Sequence, residues 1–131
     1  MKQNKTRIIF PEGIIPVYAQ IVGPKHTSTI KLALDTGATY TMIPAEKVII
    51  TGYKFPPSKE KSVRISTASG IEYVPLVNIS LFKCLGITVK NIEIVCHDLP
   101  SESPVEGLLG LNFLVHLPDF IEFYQKIRKL V

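Results

Sequence analysis

Residues 32–44 read LALDTGATYTMIP, and this stretch decides the fold of the chain. A hydrophobic strand ends at Leu34, one carboxylate follows at Asp35, and the chain then turns at Thr36 and Gly37. Glycine permits a sharp turn and the close approach of another segment, and the Thr36 hydroxyl can hydrogen-bond neighbouring backbone groups and hold the loop. The stretch therefore presents one carboxylate from a rigid loop, although Asp-Thr-Gly by itself is also typical of ordinary turns.

Short apolar segments rich in β-branched residues continue on both sides, separated by Gly, Pro, Ser and Asn. Such spacing predicts a small all-β barrel or sandwich rather than a helical bundle. A short helical turn is predicted from Pro44 to Val48, and a polar, mobile loop from Lys54 to Ser62. The predicted strands cover residues 17–22, 29–34, 62–67, 71–77, 77–85, 87–96, 120–123 and 127–131, with a hairpin turn at Ala68, Ser69 and Gly70.

Two further segments lie downstream. Residues 106–114 read EGLLGLNFL, in which two apolar residues and a glycine precede a predicted short helix, and residues 67–70 read TASG at the hairpin turn. Together with residues 32–44, they resemble the second signature, the flap hairpin and the active-site segment of retropepsin-like aspartic proteases. The resemblance extends from Val17 to Val131, and three segments in this order are far more specific than Asp-Thr-Gly alone.

The resemblance implies an all-β, retropepsin-like acid protease barrel with one short helix after the second signature. It also implies an aspartic endopeptidase that acts on extended polypeptides, with no metal and no other cofactor. In that family two facing carboxylates share a proton: the ionised one takes a proton from water and the protonated one polarises the scissile carbonyl. The residues that match the family's motifs are the catalytic Asp35, the active-site loop Thr36, Gly37 and Ala38, the flap Ala68, Ser69 and Gly70, and the supporting second-signature residues Leu108, Leu109 and Gly110.

This chain has one aspartate in an Asp-Thr-Gly context, because neither Asp98 nor Asp119 is followed by Thr-Gly or Ser-Gly. The resemblance therefore implies a homodimer in which each subunit contributes its Asp35 at a two-fold axis, since a symmetric interface duplicates every residue near the axis. It also implies that Thr36 interlocks across this axis and that residues 127–131 add a strand between subunits. An isolated subunit is expected to be inactive.

The chain departs from the retroviral pattern near both signatures. Viral enzymes often carry acids just after Asp-Thr-Gly-Ala and an arginine just after the second-signature glycine, whereas this chain has Thr39, Tyr40 and Leu111. Substrate contacts made by those acids in viruses are therefore not expected here. Ala38 cannot donate a hydrogen bond to the carboxylate as a serine would, and we expect a mildly acidic to near-neutral pH optimum.

The composition fits one domain over residues 1–131, with residues 1–7 as a flexible basic tail. The net charge of +4 is clustered near the chain ends, which gives little support to nucleic-acid binding. We expect no membrane-spanning segment and no secretory signal, because the apolar stretches are short and interrupted. Cys84 and Cys96 lack metal-ligand spacing and are expected to be buried, reduced thiols, which favours a cytoplasmic location.

Two other functions stay open from the sequence. The first is a catalytically silent retropepsin-like module that dimerises or binds peptides, because a fold does not guarantee an activity. The second is a basic nucleic-acid-binding β-barrel, which steeply salt-dependent binding to DNA or RNA would reveal. The intact Asp35-Thr36-Gly37 sequence argues against the silent module.

Overall fold

The computed structural model describes residues 13–55 and 61–129, which form a small β-barrel with three short helices. The elements are β1 (Pro16–Val22), β2 (Thr27–Leu34), β3 (Met42–Ile43), α1 (Ala45–Ile50), β4 (Ser62–Thr67), β5 (Gly70–Cys84), β6 (Ile87–Cys96), β7 (Gly107–Leu109), α2 (Leu111–Leu114) and α3 (Phe120–Lys129). The predicted basic tail over residues 1–7 lies outside the described residues, and so do residues 56–60 of the predicted mobile loop.

Six of the strands close on themselves. Their order is β1-β2-β7-β3-β6-β5, and β5 pairs again with β1 to complete the barrel. The β2–β7 and β3–β6 pairs are parallel, and the other neighbours are antiparallel. β4 pairs only with the first part of β5, and these two segments, residues 62–67 and 70–75, are called the flap hairpin below. Closure satisfies the backbone of both edge strands and leaves this hairpin outside the barrel.

The barrel interior is filled by the inward-facing side chains of the strands. Ile79 and Phe82 of β5 are wholly buried, and the Phe82 ring packs against Phe113 of α2 with ring centroids 5.3 Å apart. Burial of each such side chain contributes about 1.5–3 kcal/mol to folding. A second, smaller cluster lies at the base of the flap hairpin and consists of Val74, Leu76 and Val95, with partly buried Tyr40, Met42, Val63 and Ile65 packed against it.

Most of the predicted strands are confirmed, with small shifts at their ends. The helical turn predicted after Pro44 is also confirmed and continues to Ile50 as α1. The strands predicted separately over 71–77 and 77–85 form one continuous strand, β5, whose first part pairs with β4 and whose remainder pairs with β6 and β1. No turn interrupts β5, because its pairing with β6 begins at Leu76, directly after its pairing with β4 ends at Pro75.

The C-terminal segment differs from the prediction made from the sequence. The two short strands predicted over residues 120–123 and 127–131 are instead the single helix α3, and residues 130–131 lie outside the described residues. The intersubunit strand expected over 127–131 is therefore wrong for residues 127–129. Asp119, in the turn just before the helix, has a φ of +62°.

The physical reason for the helix is visible in its residue spacing. Phe120 and Tyr124 are four residues apart, and their rings stack with centroids 5.6 Å apart. Glu122 and Lys126 form an (i, i+4) ion pair, which stabilises helices slightly. Three basic residues in the last turn interact favourably with the negative end of the helix dipole. The apolar residues thus follow a helical period that the sequence interpretation divided into two strands.

Candidate active site

The loop that carries Asp35 begins where β2 ends. The Asp35 N–H donates to the Leu109 carbonyl oxygen of β7 at 3.0 Å, and the Gly37 N–H donates to Asp35 Oδ1 at 2.8 Å. The Ala38 N–H donates to the Asp35 carbonyl oxygen at 3.2 Å, which closes the turn. A Cβ added to Gly37 would lie 3.1 Å from Asp35 Oδ1, so glycine leaves room for this carboxylate. The half-buried Asp35 side chain is held by the backbone of its own loop.

Thr36 behaves differently from the expectation that its hydroxyl holds the loop. Its side chain is exposed, and within residues 13–55 and 61–129 the hydroxyl has no hydrogen-bond partner. The Gly37 N–H bond to the carboxylate and the Ala38 N–H bond to the Asp35 carbonyl oxygen stabilise the turn instead. Thr36 therefore lies at the surface beside the half-buried Asp35.

The second-signature residues 108–110 lie directly beside the Asp35 loop. Leu109 is wholly buried in the barrel core, and Leu108 pairs with Met42 of β3. At Gly110 an added Cβ would lie 2.6 Å from the Tyr40 carbonyl and 2.8 Å from the Ala38 carbonyl oxygen. Real Cβ atoms are not found at such distances from backbone, so only glycine lets the two segments lie against each other. The structure thus brings the two predicted signatures together.

Two residues that the sequence interpretation did not select, Thr41 and Asn112, connect these segments. The wholly buried Thr41 hydroxyl accepts a hydrogen bond from the Gly110 N–H at 3.1 Å and donates to Asn112 Oδ1 at 2.9 Å. Asn112 Oδ1 also accepts from the Thr41 N–H at 2.8 Å, and its amide nitrogen donates to the Glu93 carbonyl oxygen. The available signal was a polar residue, Thr41, between Tyr40 and Met42 just before β3.

Glu106 forms a second connection, at the start of β7. Its N–H donates to the Lys31 carbonyl oxygen at 2.8 Å, and its Oε2 accepts from the Lys31 N–H at 3.1 Å. Its Oε1 lies 3.4 Å from Lys47 Nζ of α1. This carboxylate therefore continues the β2–β7 pairing and ties α1 to it.

A cavity of about 540 Å³ lies between the Asp35 loop and the flap hairpin. Residues 37–40 line one side, residues 64–66 of β4 line the other, and Met42 and Val95 complete it. This volume is in the range of known ligand sites. The hairpin turn is confirmed at Ala68 and Ser69, with Gly70 opening β5 at a φ of +124°. These three tip residues are exposed and do not border the cavity.

The two cysteines belong to the barrel core and do not line the cavity. Both are buried and unpaired, as predicted. Burial raises the pKa of the Cys84 thiol to about 11. Burial, together with the negative charge of Asp98, raises the pKa of the Cys96 thiol to about 12. Both thiols are therefore protonated near neutral pH, and protonated thiols are poor nucleophiles.

Metal centres and membrane-spanning helices are absent from the described part of the chain. Within residues 13–55 and 61–129, no group of three or more His, Cys, Asp or Glu side chains is arranged to hold a metal ion. None of the helices in the same ranges has the length and apolar character that crossing a membrane requires.

Comparisons with known proteins agree with this geometry. A family model described as aspartyl protease matches residues 17–113, which include Asp35 and residues 108–110. A retropepsin-like aspartic protease from Rickettsia conorii has a similar solved structure, with a TM-score of 0.60 and 22% sequence identity over 81% of this chain and 81% of that chain. No curated protein sequence matches significantly. The structural likeness confirms the retropepsin-like fold that the sequence predicted.

Proposed function

Because this chain belongs to the aspartyl protease family and has a retropepsin-like fold, it is an aspartic endopeptidase, and we propose that Asp35 is its catalytic residue in a homodimer. The observation that carries the proposal is the Asp35 loop, in which the Gly37 N–H holds a half-buried carboxylate at the end of a barrel strand. A symmetric dimer duplicates a residue near its axis. Two copies of Asp35 would then form the pair that one chain lacks.

The proposed reaction uses one water and the two carboxylates. The ionised Asp35 takes a proton from the water, whose oxygen attacks the scissile carbonyl carbon, while the protonated Asp35 of the second copy donates a hydrogen bond to the carbonyl oxygen. The proton then passes to the amide nitrogen as the C–N bond breaks, which releases an amine and a carboxylic acid. Two adjacent carboxylates cannot both be ionised easily, so such a pair titrates in two macroscopic steps.

The cavity supports a polypeptide substrate in an extended conformation. Its apolar lining, from Ala38, Met42, Ile65 and Val95, suits apolar side chains near the cut. The flap hairpin lies across the cavity from the Asp35 loop, and we propose that its backbone pairs with an extended peptide as an added strand. We propose that Ala68, Ser69 and Gly70 close over the bound peptide and exclude water, as mobile loops do in many enzymes.

Other parts of the proposal concern assembly and compartment. The exposed Thr36 beside Asp35 supports contact across the proposed two-fold axis. The buried, unpaired Cys84 and Cys96 support a reducing compartment, because thiols in oxidising compartments are usually paired. We therefore propose a cytoplasmic homodimer that acts on polypeptides. Sedimentation over a range of concentrations measures the dimer, and a monomer that is fully active would contradict the shared site.

The test of the proposed function compares the wild type with Asp35→Asn on a diverse mixture of unstructured peptides over a range of pH. Asparagine keeps the shape of the side chain and removes its acid–base function. Asp98→Asn is the matched control, because Asp98 is an exposed aspartate outside the Asp35 loop. We expect cleavage by the wild type and by Asp98→Asn, and none by Asp35→Asn.

Cleavage that survives in Asp35→Asn would contradict the catalytic role of Asp35. If a dimer forms but no variant cleaves any peptide, the silent peptide-binding module becomes the better account. Mass spectrometry of the products identifies the cut positions and therefore the side-chain preference. The same data show whether apolar residues flank the cut.

A further inference from the structure

One face of the flap hairpin is turned toward the Asp35 loop. In the β4–β5 ladder Val63 is directly opposite Val74, and Ile65 is directly opposite Glu72. Residues directly opposite each other in an antiparallel pair lie on the same face, and alternate residues along a strand share that face. Val74 belongs to the small buried cluster at the base of the hairpin, and Val63 and Ile65 pack against this cluster, as Tyr40 and Met42 do. This face of the hairpin therefore points toward the loop and the cavity.

Glu72 lies on this same face, nearer the tip than Val74. Its cross-strand neighbour Ile65 borders the cavity, whereas Glu72 is exposed and lies next to Ile65 without lining the cavity itself. Among the residues that the structure describes, Glu72 forms no ion pair, although three other Glu side chains do. The Glu72 carboxylate therefore has no cationic partner among the described residues and lies next to Ile65 at the cavity.

Within residues 62–67 and 70–75, Glu72 is the one charged residue on this face. Arg64 also borders the cavity, but its register pairs it with Tyr73 on the opposite face of the hairpin. The positions after Asp-Thr-Gly-Ala are the uncharged Thr39 and Tyr40. On the face shared with Ile65, the charge is therefore negative and comes from Glu72, whereas Thr39 and Tyr40 of the Asp35 loop carry none.

We propose that Glu72 gives the cleft a preference for peptides with a lysine or arginine side chain beneath the flap hairpin. This inference rests on the proposed function and names the substrate class more narrowly. A long basic side chain can lay its methylenes along Ile65 while its charged end reaches the Glu72 carboxylate. In a symmetric dimer Glu72 occurs twice, so the preference is expected on both sides of the cut.

The cleavage test uses a neutral parent peptide in which lysine is placed at one position at a time. Norleucine at the same position is the comparison, because it has a similar chain without the charge. For the preferred positions we expect lysine to raise kcat/KM about fivefold over norleucine, which is the upper range for a solvent-exposed ion pair. The ratio should fall at high salt, because salt screens exposed charges.

Three variants test whether Glu72 causes the preference for lysine. Glu72→Gln is expected to remove it while cleavage of the norleucine peptides is retained, and Glu72→Lys is expected to reverse it. Glu122→Gln on α3 is the matched control, since it removes the same charge on an element far along the chain from the hairpin. An equal lysine preference in the wild type and in Glu72→Gln would overturn the proposal.

A binding test measures the effect of Glu72 without requiring catalysis. Asp35→Asn and Asp35→Asn/Glu72→Gln are titrated with the same lysine and norleucine peptides, and the dissociation constants are measured by fluorescence anisotropy. We expect about fivefold tighter binding of the lysine peptide only when Glu72 is present. Equal affinity for both peptides in Asp35→Asn would overturn the role of Glu72, whatever the catalytic activity of the wild type is.

Discussion

Replacing Thr41 with valine tests whether the buried hydroxyl holds the two signatures together. Valine has nearly the shape of threonine but neither donates nor accepts, so the variant loses two hydrogen bonds without leaving a cavity. The Gly110 N–H loses its acceptor at 3.1 Å, and Asn112 Oδ1 loses a donor at 2.9 Å. Asn112 Oδ1 keeps its bond from the Thr41 N–H, so the loss is concentrated on Gly110.

The expected loss in the free energy of unfolding follows from these contacts. A buried donor left without an acceptor costs about 1–3 kcal/mol, and the lost bond to Asn112 about 1 kcal/mol more. We expect Thr41→Val to lower the free energy of unfolding by about 3 kcal/mol, which for a domain of this size lowers Tm by about 10 °C. Such a loss is a large part of the total stability of a small domain.

The matched control is Thr41→Ser, which keeps the hydroxyl and removes one methyl group, at a cost of about 1 kcal/mol. Urea and thermal denaturation of the wild type and both variants, at one fixed protein concentration, measure the difference. Cleavage rates at a temperature where all three are folded should fall most in Thr41→Val, because Gly110 lies against the Asp35 loop. If Thr41→Val is as stable and active as Thr41→Ser, the hydroxyl does not have this role.

Three other predictions follow from the same structure. Gly110→Ala should abolish cleavage and strongly destabilise the fold, because the added Cβ would lie 2.6 Å from the Tyr40 carbonyl. Its control is Gly86→Ala, at a φ of +79° with open space around it, which should lower the free energy of unfolding by only about 1–2 kcal/mol in the same denaturation assay. In the unfolded chain the two thiols lose their protons near pH 9. In the folded protein the pKa is about 11 for Cys84 and about 12 for Cys96, so the folded protein keeps these protons to higher pH. The free energy of unfolding should therefore be unaffected by these thiols below pH 9 and fall as the pH rises from 9 to 12, and replacing both with alanine should remove that part of the fall. Ala38→Ser should move the pH optimum for cleavage to lower pH, because its hydroxyl can donate to the ionised carboxylate; an unchanged or higher optimum would contradict this.

The barrel was predictable from the sequence because its strands carry local signals. Residues 17–22 and 87–96 alternate or cluster apolar residues between turn residues, and the structure forms strands there. The segment from Phe120 was not predictable in the same way. Its aromatic residues fit short strands as well as a helix, and the choice depends on packing of Phe120 against the barrel and on the Phe120–Tyr124 stack, which are visible only in three dimensions.

In the candidate site, too, some residues could be predicted from the sequence and others could not. Asp35, Gly37 and Gly110 could be selected from motifs because each has a fixed backbone context. Thr41 and Asn112 lie 71 residues apart, and a hydrogen bond between them leaves no pattern in the chain. The orientation of Glu72 likewise depends on the strand register, since a shift of one residue would turn its side chain to the opposite face.

The activity of mixed subunits tests the central claim that two copies of Asp35 form one site. Wild-type and Asp35→Asn chains are mixed in equal amounts, refolded together to exchange subunits, and assayed at constant total protein. A shared site is formed only by two wild-type subunits, so we predict about a quarter of the wild-type activity. About half of the wild-type activity would show that each subunit has a complete site of its own, and would contradict the account.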